Sequence, residues 1–364
     1  MTDVFPGPAD SAAAGTPPTW AAPARERAFA HWFEAIAPRH RLDAGSLRLA
    51  SADASSRRYF RVDGGAGNGS PARSFIVMDS PDPGGGVAAF VRIGARIRDA
   101  GLHGPRVIES DPALGFLLLD DLGETPYLAA LAAAGPQKAD ALMLDAIGAL
   151  IQWQRRIDPA DLPRYDDAML RREMALFPEW CVTRTFGRAW NDKERKIWAD
   201  VSQRLIDSAL AQPQLAVHRD WMPRNLMVCE PNPGVLDFQD AVRGPIAYDL
   251  ASLLRDAFIS WDEERELDWA VRYWQGARKA GLPVGEDFGE FWRAAEWMGL
   301  QRHLKILGLF CRLKLRDGKP RYSEDLPRFF GYATKVANRY GPLRGLLNLL
   351  EPLSGAAVAA GYTF

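Results

Sequence analysis

Apolar residues change their spacing part-way along the chain, and the change divides it. From 46 to 119 they fall in short runs, at 46–50, 59–62, 74–78, 106–109 and 115–119, parted by breaker-rich segments at 63–70 and 81–86. Runs of that length between Gly, Pro and Asp predict strands. Two stretches have helical spacing instead: 24–38, amphipathic and stopped by Pro38, and 87–100, stopped by Gly101. Beyond Gly123 the period is helical over 138–156, where Leu142, Ile147, Leu150 and Ile151 recur at helical spacing. It stays so at 169–180, 192–212, 248–258, 262–280, 288–313 and 326–340. The pattern predicts an α+β chain, with a small antiparallel sheet and one helix in a lobe at 24–123 and a mostly helical lobe at 124–345. Tails are expected at 1–23, disordered, and at 346–364, of which 355–364 read as loosely ordered.

Composition narrows this picture. A chain of 364 residues with 47% hydrophobic content and 12 Trp can bury a large core in two lobes. A net charge of −1 gives no general pull towards nucleic acid or a membrane surface. No apolar run is long enough to span a bilayer, and the Ala- and Pro-rich start has no apolar core of a secretory signal. Cys181, Cys229 and Cys311 are odd in number and lack metal-site spacing, which fits free thiols in a reducing cytoplasm. A monomer is the default expectation.

The chemistry concentrates at 215–256. His218-Arg219-Asp220 followed by Asn225 reads as H-x-D-x-x-x-x-N, the pattern of a kinase catalytic loop. Two apolar runs, 226–229 and 234–236, flank Glu230-Pro231-Asn232-Pro233, whose turn-forming residues predict a short hairpin. That hairpin would bring Asn225 and Asp237 together at its open end, close to Asp220. Phosphoryl transfer suits these residue types, because the protein mainly positions groups and offsets charge. Asp220 has the place of the carboxylate that takes or orients the proton of the attacking hydroxyl. Asn225 and Asp237 offer hard oxygens to Mg²⁺. His218 braces the loop. Arg224 either meets the transferring phosphate or forms an ion pair within the loop. Asp240 either touches substrate or caps a turn.

The segment resembles the aminoglycoside phosphotransferase and choline kinase-like enzymes, relatives of the protein kinases. Leu236-Asp237-Phe238-Gln239 stands where protein kinases have Asp-Phe-Gly, and Tyr248-Asp249-Leu250-Ala251 matches the next marker of the family. In the latter, Asp249 reads as support for the catalytic loop. Four further blocks are similar to those of the bacterial anomeric kinases of N-acetylmuramate and N-acetylglucosamine in cell-wall recycling. They are Ser55-Ser56-Arg57-Arg58-Tyr59-Phe60-Arg61, 116–123, Phe177-Pro178-Glu179-Trp180 and 299–305. The resemblance implies a bilobal protein-kinase-like fold, ATP and Mg²⁺ as cofactors, and a small amino sugar as partner. It makes 120–123 the linker that meets adenine, with Leu119 and Asp121 at the nucleotide, and 53–56 the loop over its phosphates, with Ser55 and Ser56. Arg302, His303 and Lys305 gain a substrate role only through their block.

One departure stands out. Kinases place a Lys on the third strand and a Glu on the following helix to hold the nucleotide phosphates. Here Met78 occupies or adjoins the Lys position, and 87–100 contains no Glu. Three explanations stand side by side: a cation from Arg57, Arg58 or Arg61; phosphates held by Mg²⁺ and backbone alone; or a kinase-like binder without turnover. Strand alternation puts Arg58 and Phe60 on one face and Arg57, Tyr59 and Arg61 on the other, leaving open which set faces the nucleotide. The segment 301–321 carries seven Lys and Arg against one Asp. It disfavours a polycationic aminoglycoside or a choline-like cation and suits a neutral or carboxylate-bearing sugar. A solvated basic helix face accounts for the same composition. The competing functions are therefore a sugar kinase, a kinase of another hydroxyl compound, and a nucleotide-binding regulator.

Overall fold

Residues 15–20, 22–52, 57–66, 73–81 and 86–360 are described by the structure, a computed structural model. Ser55 and Ser56 lie outside them. The chain divides into two compact units, Met1–Ala130 with Arg224–Asp240, and Leu131–Pro223 with Ala241–Phe364.

In the first unit, β1 (Arg48–Ala52), β2 (Arg58–Gly64), β3 (Arg73–Asp79), β4 (Val107–Asp111) and β5 (Phe116–Asp120) form an antiparallel sheet in the order β1-β2-β3-β5-β4. Helix α1 (Pro23–His40) covers one face. Its Phe29, Trp32, Phe33 and Ile36 bury against Phe60, Val62, Phe75, Val77, Phe116 and Leu118. Each such side chain contributes about 1.5–3 kcal/mol by leaving water. The fully buried Asp79 fastens helix to sheet. It accepts from Arg25 of α1 at 2.9 Å and from Arg58 at the start of β2, whose guanidinium also lies 4.2 Å over the Trp20 ring. Pro38 does not stop α1 as expected. Its missing N–H falls in the last turn, and the helix runs on to His40, where left-handed Arg41 (φ 54°) and the next residue cap the Ala37 and Pro38 carbonyls.

Helix α2 (Val87–Asp99) lies between β3 and β4 in the chain, and the segment 224–240 completes the unit. Strands β7 (Leu226–Met227) and β8 (Gly234–Val235) are a hairpin shorter than the apolar runs suggest. Val235 donates to the His103 carbonyl at 2.7 Å, Val228 to that of Thr125 at 2.8 Å, and Phe238 packs on Phe90 of α2 at 4.8 Å. By its contacts, this hairpin groups with the sheet, whereas a division in chain order at Gly123 leaves it with the helices.

The second unit is helical apart from the ladder of β6 (Gln214–Val217) with β9 (Val242–Pro245). Helices α4 (Pro136–Arg156), α5 (Asp167–Met174), α6 (Asp192–Ala211), α7 (Tyr248–Leu254), α8 (Glu263–Lys279), α9 (Phe288–Leu315) and α10 (Leu326–Arg339) match the helical periods. The short helix α3 (Tyr127–Ala132), at the junction of the units, escapes them. Every residue of α9 from Met298 to Cys311 is buried, so this helix is enclosed on all sides. Two expectations are corrected. The helix expected over 169–180 ends at Met174, and the chain widens into a π-helix over Phe177–Thr185. The C-terminal tail expected from 346 is instead helix α11 (Leu347–Ala360), with Leu349, Leu350 and Leu353 buried; the Gly- and Ala-rich end had masked that apolar spacing. Among the described residues, no helix is long and apolar enough to cross a membrane.

Gly308 is where α9 meets the backbone entering the π-helix. A Cβ there would lie 2.2 Å from the Leu176 carbonyl carbon and 2.6 Å from the Phe177 nitrogen. Gly148 of α4, by contrast, has nothing within 4 Å of that point. Thermal melting should separate them: Gly308→Ala destabilises by about 1–3 kcal/mol through overpacking, whereas Gly148→Ala stabilises by up to about 1 kcal/mol through helix propensity.

Candidate active site

Strand β6 delivers the chain into the loop that carries His218 and Asp220. Over Ala216–Pro223 every residue is buried except Asp220, so the loop shows one carboxylate and hides the rest. Its shape is not one an L-residue adopts at ease, since Arg219 has φ 78°. The fully buried Asp249, in the first turn of α7, holds it there. Its two oxygens accept the His218 N–H at 2.7 Å and the Arg219 N–H at 2.9 Å. Ser252, one turn on, donates to the Arg219 carbonyl at 3.3 Å. Burial pushes the Asp249 carboxyl up to about 7, against the two amides that pull it down. His218 Nδ1 accepts from the Asp220 N–H at 3.3 Å, and its buried ring meets Trp153 and Trp221 edge-on, with centroids 5.2 and 5.4 Å away and the two indoles 6.0 Å from each other. His218, expected from the sequence to brace the loop, thus makes its contacts with Asp220 and the two tryptophans.

Behind the loop sits a carboxylate that sequence reasoning missed. Glu173 of α5 is 2% exposed and accepts from Arg219 Nη2 at 2.9 Å, Lys305 Nζ at 2.9 Å and the Tyr165 hydroxyl at 2.5 Å. Gln301 completes the cluster, donating to the Tyr165 oxygen at 3.2 Å. The signal for it was present in the sequence: Arg302 and Lys305 stand inside an apolar helical run, and buried cations need a buried carboxylate. Arg302, His303 and Lys305 were expected at the substrate. In the structure Arg302 and His303 are 0% exposed and Lys305 is 2% exposed, with its ammonium on Glu173. His303 stacks on Tyr332 at 4.9 Å, and burial, with Arg255 and Arg302 nearby, holds its imidazole well below the usual range and therefore neutral.

The first unit carries Asn225 and Asp237, the residues expected to offer oxygens to Mg²⁺. Leu236 donates to the Asn225 carbonyl at 2.9 Å across the hairpin, which sets Asn225 Nδ2 3.4 Å from Asp237 Oδ2. Asp237 has φ 61°. Gln239, in the variable third place of the motif, donates to Asp237 Oδ1 at 2.8 Å and to Asp240 at 3.3 Å. Among the described residues, no three His, Cys, Asp or Glu gather around one point. An amide beside a carboxylate, both hard oxygen donors, fits Mg²⁺, which takes one or two protein groups and fills its shell with water and phosphate. Arg224 occupies the 3₁₀ turn Pro223–Asn225, half-buried.

The remaining nucleotide candidates separate by face. Arg58 turns to the α1 side and is spent on Asp79. Arg61 turns to the other side and grips Asp121 at 2.5 and 3.0 Å through Nε and Nη2, with Glu124 on Nη1 and the Gly123 carbonyl sharing Nη2. Asp121 also accepts from Ser74 at 2.7 Å; burial would raise its carboxyl, but Arg61 and Ser74 hold it below the usual range. Its charge is therefore paired within the first unit. Leu119 is buried on β5 opposite Ile76.

A model of the phosphotransferase enzyme family matches residues 46–289. Curated relatives are similar along most of their length. An N-acetylmuramate/N-acetylglucosamine kinase of Pseudomonas putida is 51% identical over 87% of this chain and 91% of its own. One of Neisseria meningitidis is 45% identical over 92% and 98%. Among solved structures, ADP-bound aminoglycoside phosphotransferase APH(2'')-Ib superposes with a TM-score of 0.57 at 13% identity, over 84% of this chain and 98% of that one. Choline kinase LicA of Streptococcus pneumoniae gives 0.53 at 11% identity, over 88% and 99%. At those identities the likeness is one of fold, and it is the kinase-like fold expected from the sequence.

The Glu173 cluster makes a prediction. Glu173→Ala leaves Arg219 and Lys305 buried without their carboxylate, and should cost about 3–5 kcal/mol in chemical denaturation. Adding Lys305→Met, which removes one of the stranded cations, should recover part of that loss.

Proposed function

The chain belongs to the phosphotransferase enzyme family, and from that premise we propose that it transfers the γ-phosphoryl group of ATP to the C1 hydroxyl of N-acetylmuramate, N-acetylglucosamine or both, in recycling of the cell wall. One observation carries the choice of acceptor: 51% identity, over nearly the whole of both chains, to a kinase named for those two sugars.

The reaction assigns work to each half of the motif. Asp220 orients the anomeric hydroxyl and receives its proton as the bond from O1 to the γ-phosphorus forms and the bridge to the β-phosphate breaks, releasing ADP. The ring oxygen makes that hydroxyl more acidic than an ordinary alcohol, so a carboxylate is base enough. Asp249 and Glu173 keep Asp220 in place by fixing the backbone and side chain of Arg219 just before it. Asn225 and Asp237 hold the magnesium, which when bound offsets charge on the β- and γ-phosphates. Asn225 follows Asp220 by five positions in the chain. Arg224, between them in sequence, is assigned to the transferring phosphate. Asp240, held beside the metal pair by Gln239, is assigned to the sugar hydroxyls.

Three measurements test this. Phosphorus-31 NMR of the product from each sugar with ATP should show an anomeric phosphate ester; a phosphate on any other hydroxyl, or none, defeats the assignment. Asp220→Ala should lower kcat by about 10²- to 10⁴-fold with ATP affinity nearly unchanged. In a magnesium titration of turnover, Asp237→Ala should need more metal to half-saturate, and an unaltered curve would remove Asp237 from the metal.

A further inference from the structure

The fold leaves the nucleotide phosphates without the third-strand lysine of kinases, and the position is closed to substitution from nearby. Met78 is fully buried, opposite Tyr59 on β2 and Leu117 on β5, and α2 supplies no Glu. The three arginines around β2 differ in where their guanidinium groups lie. Arg58 is on Asp79 and the Thr19 carbonyl, on the α1 side of the sheet. Arg61 is on Asp121, Glu124 and Gly123, at the linker. The third reaches elsewhere. Arg57, the residue before β2, lays its guanidinium against Gly86, the left-handed residue (φ 83°) that caps the N-terminus of α2. A Cβ on Gly86 would stand 2.8 Å from Arg57 Nη2 and 3.8 Å from Gln239 Cγ. Arg57 and Gln239 thus border one small space, and Gln239 in turn holds the Asp237 and Asp240 carboxylates.

We infer that Arg57 is the cation that grips the nucleotide phosphates in this chain, standing in for the missing third-strand lysine and entering from the start of β2 beside Gly86. The assignment rests on the phosphotransferase reading and deepens it. Its logic is charge balance within one unit. Asp237 and Asp240 lie side by side through Gln239, and a nucleotide triphosphate brings further negative charge to them. Magnesium offsets part of it, and a planar guanidinium can take two phosphate oxygens at once, where a lysine takes one. Glycine at 86 gives the guanidinium room: any side chain there would occupy its place and would strain a backbone at φ 83°. The kinase Lys–Glu pair is replaced by a cation that needs no carboxylate from α2, which accounts for the loss of both members together.

The test is nucleotide binding without any sugar, read by calorimetry with ADP–Mg²⁺ and, separately, with adenosine. Arg57→Ala should weaken ADP by about 10- to 100-fold, the worth of a charge-assisted bidentate contact, and leave adenosine within about twofold. Arg57→Lys should keep a charge and lose less than Arg57→Ala. Adenosine binding doubles as the check that each variant is folded. The inference falls if ADP weakens less than about threefold in Arg57→Ala, or if adenosine weakens as much as ADP, which is the mark of a structural role. Because no acceptor is present, a wrong sugar assignment leaves this result untouched. A wild-type chain that binds no nucleotide would overturn both.

Discussion

A single buried carboxylate, Asp249, sets the terms for the rest of the site. It takes two backbone N–H groups of consecutive residues, and so fixes the left-handed turn at Arg219 that presents Asp220. Taking a carboxylate out of water is costly, and the upward push on its own titration shows the cost. The amides compensate because they would otherwise be buried donors without acceptors. Much of the helical unit can be understood as support for this arrangement. Helix α7 carries Asp249 and Ser252, α5 carries Glu173, and the enclosed helix α9 brings Lys305 and Gln301 to the same cluster.

Charge inside this protein is arranged by pairing one carboxylate with two cations. Asp79 takes Arg25 and Arg58, and Glu173 takes Arg219 and Lys305. Arg255 inverts the ratio, with Glu266 and Glu296 on one guanidinium and Arg339 returning to Glu296. Buried pairs of this kind add little net stability over apolar packing, but breaking one is expensive. They act as fixed points that hold particular helices and strands in register.

Much of this was legible in the chain. The strand runs, the helical periods and the H-x-D-x-x-x-x-N loop depend on local rules, and the structure keeps them with ends moved by a few residues. Asp249 was readable as loop support because its place in a helix's first turn is local too. What failed depended on tertiary surroundings. Composition could not tell a solvated basic helix face from an enclosed one, and Arg302, His303 and Lys305, given a substrate role only by their family block, are buried. Glu173 has no local mark at all; only its partners, far apart in sequence, give it meaning. Alternation on β2 separated the arginines, and the packing of α1 on Phe60 shows which face Arg58 takes.

The sheet unit is discontinuous in sequence: Arg224–Asp240 belongs to it although 93 residues of the helical unit, Leu131–Pro223, intervene. During synthesis, a nascent chain released as far as Ala130 still lacks the hairpin that pairs with His103 and seats Phe238 on Phe90. The N-terminal portion therefore cannot reach its finished form as an early, self-contained folding event. It must wait for the ribosome to deliver residue 240, by which time the first part of the helical unit, Leu131–Pro223, has also emerged, so the maturation of the two units overlaps.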